Sequence, residues 1–146
     1  REVVDSNFLL GLNKETYEVI WKACVLRGFH MAQLRYLAGL DKKSALRRPE
    51  GDYLDIIQQG IDISIIHWGK SETGERYLLD DTLRKVMIRN LAHRDPEDFR
   101  KLQCAAIDLY TKWVKEYPEL AESYRKEIDY HERVLGDFTV TGRVNL

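Results

Sequence analysis

Apolar residues recur at intervals of three and four over the first sixty positions of the chain. That spacing places them on one face of each of three helices. The first predicted helix begins after Asn13, a good N-cap residue, and is closed by Gly28. The second ends at Gly39, and the third spans residues 52–59 with Gly60 as its stop signal. The expected inward positions are Tyr17, Ile20, Trp21, Cys24, Val25, Met31, Leu34, Leu37, Leu54 and Ile57.

The hydrophobic period changes to two after the third helix. Ile61, Ile63 and Ile65 occupy alternate positions, a pattern typical of a half-buried strand. Residues 69–74 contain two glycines and predict a turn, and residues 76–79 predict the returning strand. The two strands together form a β-hairpin.

Helical spacing resumes after the hairpin and continues almost to the end of the chain. Asp80 or Asp81 is the expected N-cap of a fourth helix. Asp95 and the proline that follows it start a fifth helix of about five turns. Pro118 restarts the chain, and Gly136 is the expected end of the last helix. An aromatic stripe should form the core between the last two helices; its members are Phe99, Trp113, Tyr117 and Tyr124.

This order of elements predicts a mainly α fold with a small β-hairpin. Three helices followed by a two-stranded hairpin are typical of a winged helix-turn-helix, and a helix pair joined at a proline is an αα-hairpin of the kind found in TPR-like repeats. We expect an N-terminal extension over residues 1–12, a winged-helix domain over 13–93, an αα-hairpin over 94–137 and a C-terminal tail over 138–146.

The composition narrows the class of protein. Hydrophobic residues make up 44% and charged residues 32% of the chain, the balance of a globular domain and not of a disordered segment. The formal net charge of -1 argues against a dedicated nucleic-acid binder, because neutralising phosphates takes a surplus of Lys and Arg. Apolar runs fall short of the roughly 20 residues of a membrane helix, and the N-terminus lacks a signal-peptide pattern. We expect a cytoplasmic location, and the start at Arg1 predicts an excised piece of a larger protein.

No group of residues predicts catalysis or a metal site. Residues 69–71 (Gly-Lys-Ser) resemble the end of a phosphate-binding loop, but the motif requires glycine at position 64, which is Ser64, and a helix after the Lys-Ser. The four histidines and two cysteines offer no zinc-site spacing. Cys24 and Cys104 are expected to be buried free thiols. The sequence therefore predicts a chain that is not an enzyme and has no cofactor or metal of its own.

Several segments resemble one family. Residues 21–29 (WKACVLRGF) and 34–39 (LRYLAG) resemble the opening of the winged-helix domain in STAND-type signalling ATPases. Those proteins combine a nucleotide-binding domain, a winged helix and a helical-repeat sensor. Residues 76–84 (RYLLDDTLR) are similar to the family's segment "tyrosine, x, leucine, histidine, aspartate, x, x, arginine". Residues 106–113 (AIDLYTKW) and 130–137 resemble the first helices after it.

The resemblance implies a nucleotide-sensing role for Asp80, Asp81 and Arg84. The family's histidine, which reaches the β-phosphate of bound ADP, corresponds to Asp80 here, whereas Asp81 and Arg84 match the pattern. The resemblance also implies ADP or ATP in the parent protein. It implies, as partners, the neighbouring nucleotide-binding domain and helical repeats of the same chain, and other proteins could also bind. The chain would then be a non-catalytic regulatory and interaction module.

The alternative function is that of a DNA-binding winged-helix regulator. Such proteins place the third helix in the major groove and the wing against the backbone. The predicted third helix has two aspartates and no Lys or Arg, which disfavours contact with phosphates. The candidate nucleic-acid contacts are instead in the preceding loop and on the wing; they are Lys42, Lys43, Arg47, Arg48, Lys70 and Arg76.

Overall fold

The computed structural model describes residues 12–40, 52–71 and 73–146. Its helices are α1 (Lys14–Ala23), α2 (Met31–Ala38), α3 (Asp52–Asp62), α4 (Asp81–Arg94), α5 (Pro96–Glu116) and α6 (Ala121–Thr141), with a short 3₁₀ turn at Pro118–Leu120. Its strands are β1 (Ile66–Ser71) and β2 (Gly74–Leu79). The prediction of a mainly helical fold with one small antiparallel hairpin is therefore confirmed. The predicted extension before residue 12 lies outside the described residues.

Three of the helix starts follow directly from local chemistry. In each case a side-chain oxygen accepts the backbone N–H three residues further on, at 2.8 Å for Asn13, 3.0 Å for Asp80 and 3.1 Å for Asp95. This bond satisfies one of the donors that a helix leaves open at its first turn. The caps that the sequence predicts at the starts of α1, α4 and α5 are confirmed, with Asp80 and not Asp81 as the cap of α4.

The β-hairpin has a partial third strand along the outer edge of β2. Within the hairpin, Trp68 lies opposite Tyr77, and Ile66 lies opposite Leu79. On the edge of β2 that faces away from β1, Tyr77 exchanges two backbone hydrogen bonds with Phe29, at 2.9 and 3.0 Å. The segment between α1 and α2 therefore runs beside β2, and the hairpin is attached to the helices through backbone bonds as well as side chains.

The third helix is longer than predicted and buries a different face. It continues through Gly60 to Asp62, so the alternating isoleucines that suggested a strand begin within the helix and its following turn. Leu54, an expected core position, is 48% exposed, whereas Tyr53, Ile56 and Ile57 are buried. A Cβ on Gly60 would lie 2.3 Å from Ile66 Cδ1, so the glycine serves close packing of α3 against β1 and does not end the helix.

The ends of the first and last helices also differ from the prediction. Helix α1 ends at Ala23, before Gly28, because the chain must turn there to bring Phe29 alongside β2. Helix α6 continues through the exposed Gly136 as far as Thr141, so residues 138–141 are not a tail. Burial of Phe138 against Phe99, with ring centroids 4.7 Å apart, offsets the cost of a glycine inside a helix.

The actual end of α6 is at Gly142. Its φ is 71°, a left-handed conformation that glycine adopts without a steric penalty, and its N–H donates to the carbonyl of Phe138. Two further positions expected inside are exposed: Tyr117 and Cys104. Cys24 is buried as predicted.

Helices α5 and α6 pack against each other as an antiparallel pair. Phe99, near the start of α5, contacts Phe138, near the end of α6. Tyr110, later in α5, contacts Tyr124, near the start of α6, so the two helices run in opposite directions. Helix α5 also packs on α4 and α2. As a result, the buried apolar residues of the helical pair and of the segment before it form one cluster.

A polar pair lies inside this interface. His131 is fully buried, and its Nδ1 is 2.6 Å from Gln103 Oε1. A carbonyl oxygen only accepts, so Nδ1 carries the proton. Burial, together with the nearby cations Arg84 and Arg27, lowers the pKa of His131 to about 3. The histidine is therefore a neutral core residue at neutral pH.

The low pKa of His131 makes the stability of the fold dependent on pH. Between pH 6.5 and about 3 the unfolded chain binds a proton at this residue that the folded chain does not bind. The free energy of unfolding should therefore fall as the pH drops through this range, with this residue adding up to about 1.4 kcal/mol per pH unit. Urea denaturation at several pH values, followed by circular dichroism, measures the slope.

The variant His131→Gln removes the titration and keeps a group that can bond Gln103. It should be less stable at pH 7 and should have a shallower slope between pH 6 and 4. His93→Gln, at an exposed position near the end of α4, is the matched control. Equal slopes in the wild type and His131→Gln would contradict the assignment.

Candidate functional site

A cleft of about 480 Å³ lies between the hairpin and the start of α4. Strand β1 forms one side of it, the first turn of α4 forms another, and the segment after α1 contributes one arginine. The lining residues are Arg27, His67, Lys70, Ser71, Leu78, Leu79, Asp81 and Arg84. The cleft thus brings together two of the three residues predicted to sense nucleotide and one of those predicted to contact nucleic acid.

Arg84 forms the deepest charged part of the cleft and is 8% exposed. Its Nε donates to the carbonyl of Leu26 at 2.9 Å, and its Nη2 donates to the carbonyl of Val25 at 3.3 Å and to the hydroxyl of Tyr130 at 2.6 Å. The two carbonyls follow the C-terminal end of α1, where the helix dipole favours a positive charge. Among the described residues, no carboxylate lies within ion-pair distance of this guanidinium.

Arg27 also lines the cleft and is held by α6. Its Nε and Nη2 lie 3.1 and 3.2 Å from the two carboxylate oxygens of Glu127, a bidentate pair. Its guanidinium carbon is 4.4 Å from the centroid of the Tyr130 ring, a cation–π distance. Arg27 therefore joins the segment between α1 and α2 to the last helix.

Glu127 extends this connection to the tip of the hairpin. The residue is only 4% exposed, and its Oε2 accepts a hydrogen bond from the hydroxyl of Thr73 at 2.8 Å. One carboxylate therefore contacts both the arginine of the cleft and the turn between β1 and β2. A buried carboxylate is tolerated here because an arginine and a hydroxyl satisfy its oxygens.

The two aspartates at the start of α4 occupy different positions. Asp81 lines the cleft and forms an exposed ion pair with Lys85 at 2.9 Å. Asp80 is exposed, and its carboxylate caps the helix through the N–H of Leu83. The structure therefore gives Asp80 a capping role, and it brings Asp81 and Arg84, but not Asp80, into the lining of the cleft.

The predicted nucleic-acid contacts do not form one surface in the described residues. Lys42, Lys43, Arg47 and Arg48 lie outside those residues. Lys70 is exposed and lines the cleft. Arg76 turns toward His30 instead of solvent: its Nη1 is 3.1 Å from His30 Nε2. Burial, and then the charge of Arg76, lower the pKa of His30 and favour its neutral form.

The outward face of α3 is acidic and apolar. Its exposed residues are Asp52, Leu54, Asp55, Gln58, Ile61 and Asp62, and the helix contains no Lys or Arg. Asp62 accepts a hydrogen bond from Gln58 at 2.9 Å, which keeps this polar pair on the surface. A face of this composition repels a phosphate backbone and suits contact with another protein.

Three polar residues of the cleft were not predicted as site residues: Arg27, His67 and Ser71. Arg27 follows the first helix without any periodic signal, and its partner Glu127 is 100 residues away. His67 and Ser71 are on β1, on the opposite face from Trp68. A single histidine in a strand pattern does not by itself indicate a binding site. Only the packing of the hairpin beside α4 shows that His67 lines the cleft.

The contacts of Arg84 predict a large structural effect of its removal. Arg84→Ala should lower the free energy of unfolding by about 3 kcal/mol, because hydrogen bonds to charged groups contribute roughly 1.5–3 kcal/mol and the acceptors here are buried. Arg89→Ala, an exposed arginine on the same helix, should change stability little. Chemical denaturation of both variants is the test, and similar losses would show that Arg84 is not a structural centre.

Other features of the described residues place few limits on function. None of the described helices is long and apolar enough to cross a membrane. In the same residues, no three His, Cys, Asp or Glu side chains are grouped so that they could hold a metal ion. Comparison with known proteins finds no family model, no curated protein and no solved structure that matches the chain.

Proposed function

We propose that this chain is a non-catalytic regulatory and interaction module, a winged helix followed by an αα-hairpin, within a larger nucleotide-dependent signalling ATPase. The observation that carries the proposal is the outward face of α3, which is acidic and apolar where a DNA-binding winged helix needs positive charge. A surface of this kind suits docking on another domain.

The arrangement of elements supports the winged-helix interpretation. A winged helix has a short edge strand between its first and second helices, and this strand pairs with the last strand of the hairpin. The pairing of Phe29 with Tyr77 fits that description, because Phe29 lies between α1 and α2 and Tyr77 is on β2. Three helices, the hairpin and α4 follow in the expected order.

The helical pair supports the second half of the proposal. Helices α5 and α6 are each 21 residues long and are joined by a short turn, which is the form of an αα-hairpin. Tyr117, directly before that turn, and Leu120, within it, are both 44% exposed. A following helical repeat would cover apolar residues of this kind, because each repeat of a solenoid packs on its neighbour.

The assignment to an ATPase depends on the resemblance around residues 76–84. The proposed neighbour is a nucleotide-binding domain, which would hold ADP or ATP near the start of α4. Asp81 and Arg84 line the cleft beside that helix, and Asp80 is exposed at its N-terminus. A phosphate held there by the neighbouring domain would face a carboxylate at position 80 where relatives have a histidine.

The proposal predicts that the protein has no sequence-specific DNA affinity near physiological salt. Weak binding at low salt should depend on Lys42, Lys43, Arg47 or Arg48 and should disappear as the salt concentration rises. Amide shifts on titration with duplex DNA at several salt concentrations provide the measurement. Asp55→Lys, which adds a cation to the outward face of α3, should strengthen the low-salt binding. Nanomolar affinity of the wild type for one defined site would establish the alternative function of a DNA-binding regulator.

Asp80 provides the test of the nucleotide-dependent part of the proposal. In the full-length protein, Asp80→His should tighten ADP binding, because a histidine can donate to a phosphate and a carboxylate repels it. At 4 Å that repulsion is about 1 kcal/mol in water and about 4 kcal/mol at an effective dielectric constant of 20. Asp80→Asn should tighten binding to a lesser degree, since it removes the charge and keeps the cap. Calorimetry with ADP measures both effects.

The control is Asp80→Ala, which removes the cap and should lower stability by about 1 kcal/mol. If Asp80→His and Asp80→Asn leave ADP affinity unchanged while Asp80→Ala is destabilised, the residue is only a helix cap. The nucleotide-sensing role at this position would then be wrong.

A further inference from the structure

The cleft beside α4 has an excess of positive charge for a chain whose formal net charge is -1. Arg27, Lys70 and Arg84 line it, and Asp81 is the one carboxylate among its described lining residues, while Arg27 is itself paired with Glu127. Asp81 already has Lys85 as a partner at 2.9 Å. Arg84 is buried, faces only neutral acceptors and has no carboxylate at ion-pair distance in the described part of the chain. A cation in that position favours an incoming anion.

The shape and donors of the cleft indicate the class of anion. A volume of about 480 Å³ accommodates a diphosphate. Arg27 has a planar pair of N–H donors that matches phosphate oxygens, and Lys70 adds a mobile positive charge. Arg84, whose Nε and Nη2 already donate to protein acceptors, contributes its positive charge. His67, which is exposed on β1 and also lines the cleft, can donate a further hydrogen bond.

We propose that this cleft binds the phosphate groups of a small molecule, and that the bound phosphate competes with Glu127 for Arg27. In the structure, Nε and Nη2 of Arg27 hold both oxygens of Glu127. A phosphate carries more negative charge than a carboxylate, and Arg27 needs only to turn its guanidinium toward the cleft to bind it. This inference rests on the proposed function in one respect only, namely that the phosphate would belong to a nucleotide.

Competition for Arg27 couples the cleft to two other parts of the fold. Glu127 without its arginine would be a buried carboxylate bonded to Thr73 alone, which is unfavourable in a site that is 4% exposed. The side chain must then move toward water and release Thr73. Occupation of the cleft would thereby loosen the contact between the hairpin tip and α6. The αα-hairpin would respond to a ligand that it does not touch.

The test is a titration of the intact protein with pyrophosphate at low ionic strength, followed by NMR. The side-chain Nε–H signals of Arg27 and Arg84 and the backbone amide of Thr73 should all shift and saturate together. A parallel titration with ADP distinguishes the source. Affinity equal to or greater than that for pyrophosphate supports a nucleotide ligand, and weaker affinity supports a free diphosphate.

Two variants and one control separate binding from competition. Lys70→Ala should weaken pyrophosphate binding about fivefold through loss of one nearby charge. Lys112→Ala, an exposed lysine of α5 that pairs with Glu116, should leave it unchanged. Glu127→Gln should bind roughly fivefold more tightly, because the amide competes less for Arg27. It keeps an acceptor for Thr73, and a melting curve verifies that it folds.

The absence of saturable shifts, or an equal effect of Lys70→Ala and Lys112→Ala, would overturn the phosphate site. Unchanged affinity in a folded Glu127→Gln protein, or Thr73 signals that do not follow those of Arg27, would overturn the competition. Neither failure bears on the acidic face of α3 or on the DNA titration, so failure of the proposed function remains separately measurable.

Discussion

The hydrogen bonds of Arg84 hold together parts of the chain that are far apart in sequence. One guanidinium on α4 joins the carbonyls that follow α1 to the hydroxyl of Tyr130 on α6. These groups would otherwise be buried polar atoms without partners, which is a costly state in a protein interior. The course of the segment that leads to Phe29 and the docking of α6 both depend on this contact.

Arg27 and Glu127 form a second connection on the same side of the molecule. Both arginines lie near the ring of Tyr130, with guanidinium carbons 4.4 Å from its centroid for Arg27 and 5.7 Å for Arg84. Arg27 is at cation–π distance from the ring, and Arg84 donates to its hydroxyl, so one tyrosine contacts both positive charges. The segment before the helical pair and the pair itself are therefore connected by polar contacts in addition to the shared apolar core.

Much of the fold could be predicted from local patterns, and the exceptions have physical reasons. The caps at Asn13 and Asp95 depend only on residues three positions apart, so the sequence reveals them. Gly60 and Gly136 were expected to end helices, but a glycine ends a helix only when no packing compensates for it. Ile66 makes a small residue necessary at position 60, and the burial of Phe138 carries α6 past position 136. Both are tertiary effects.

The same distinction applies to the candidate site. Asp81, Arg84 and Lys70 stood out in the sequence because they lie within motifs or in a turn. Arg27 and Glu127 did not, because their contact crosses 100 residues and has no local signature. Thr73 lies 54 residues from the same carboxylate. Residues whose partners are this distant in sequence can be recognised as part of a site only from the folded structure.

The pairing of Phe29 with Tyr77 also affects how copies of the chain can meet. It blocks part of the outer edge of β2 with a segment of the same molecule. Within the described part of the chain, the outer edge of β1 is left without a neighbouring strand. Lys70 on that strand is exposed, and a charged residue on an edge strand discourages pairing with another chain. A substitution that makes position 70 apolar would therefore remove the charge that discourages pairing at the edge of β1. Two molecules could then pair their β1 strands into one continuous sheet and begin to aggregate.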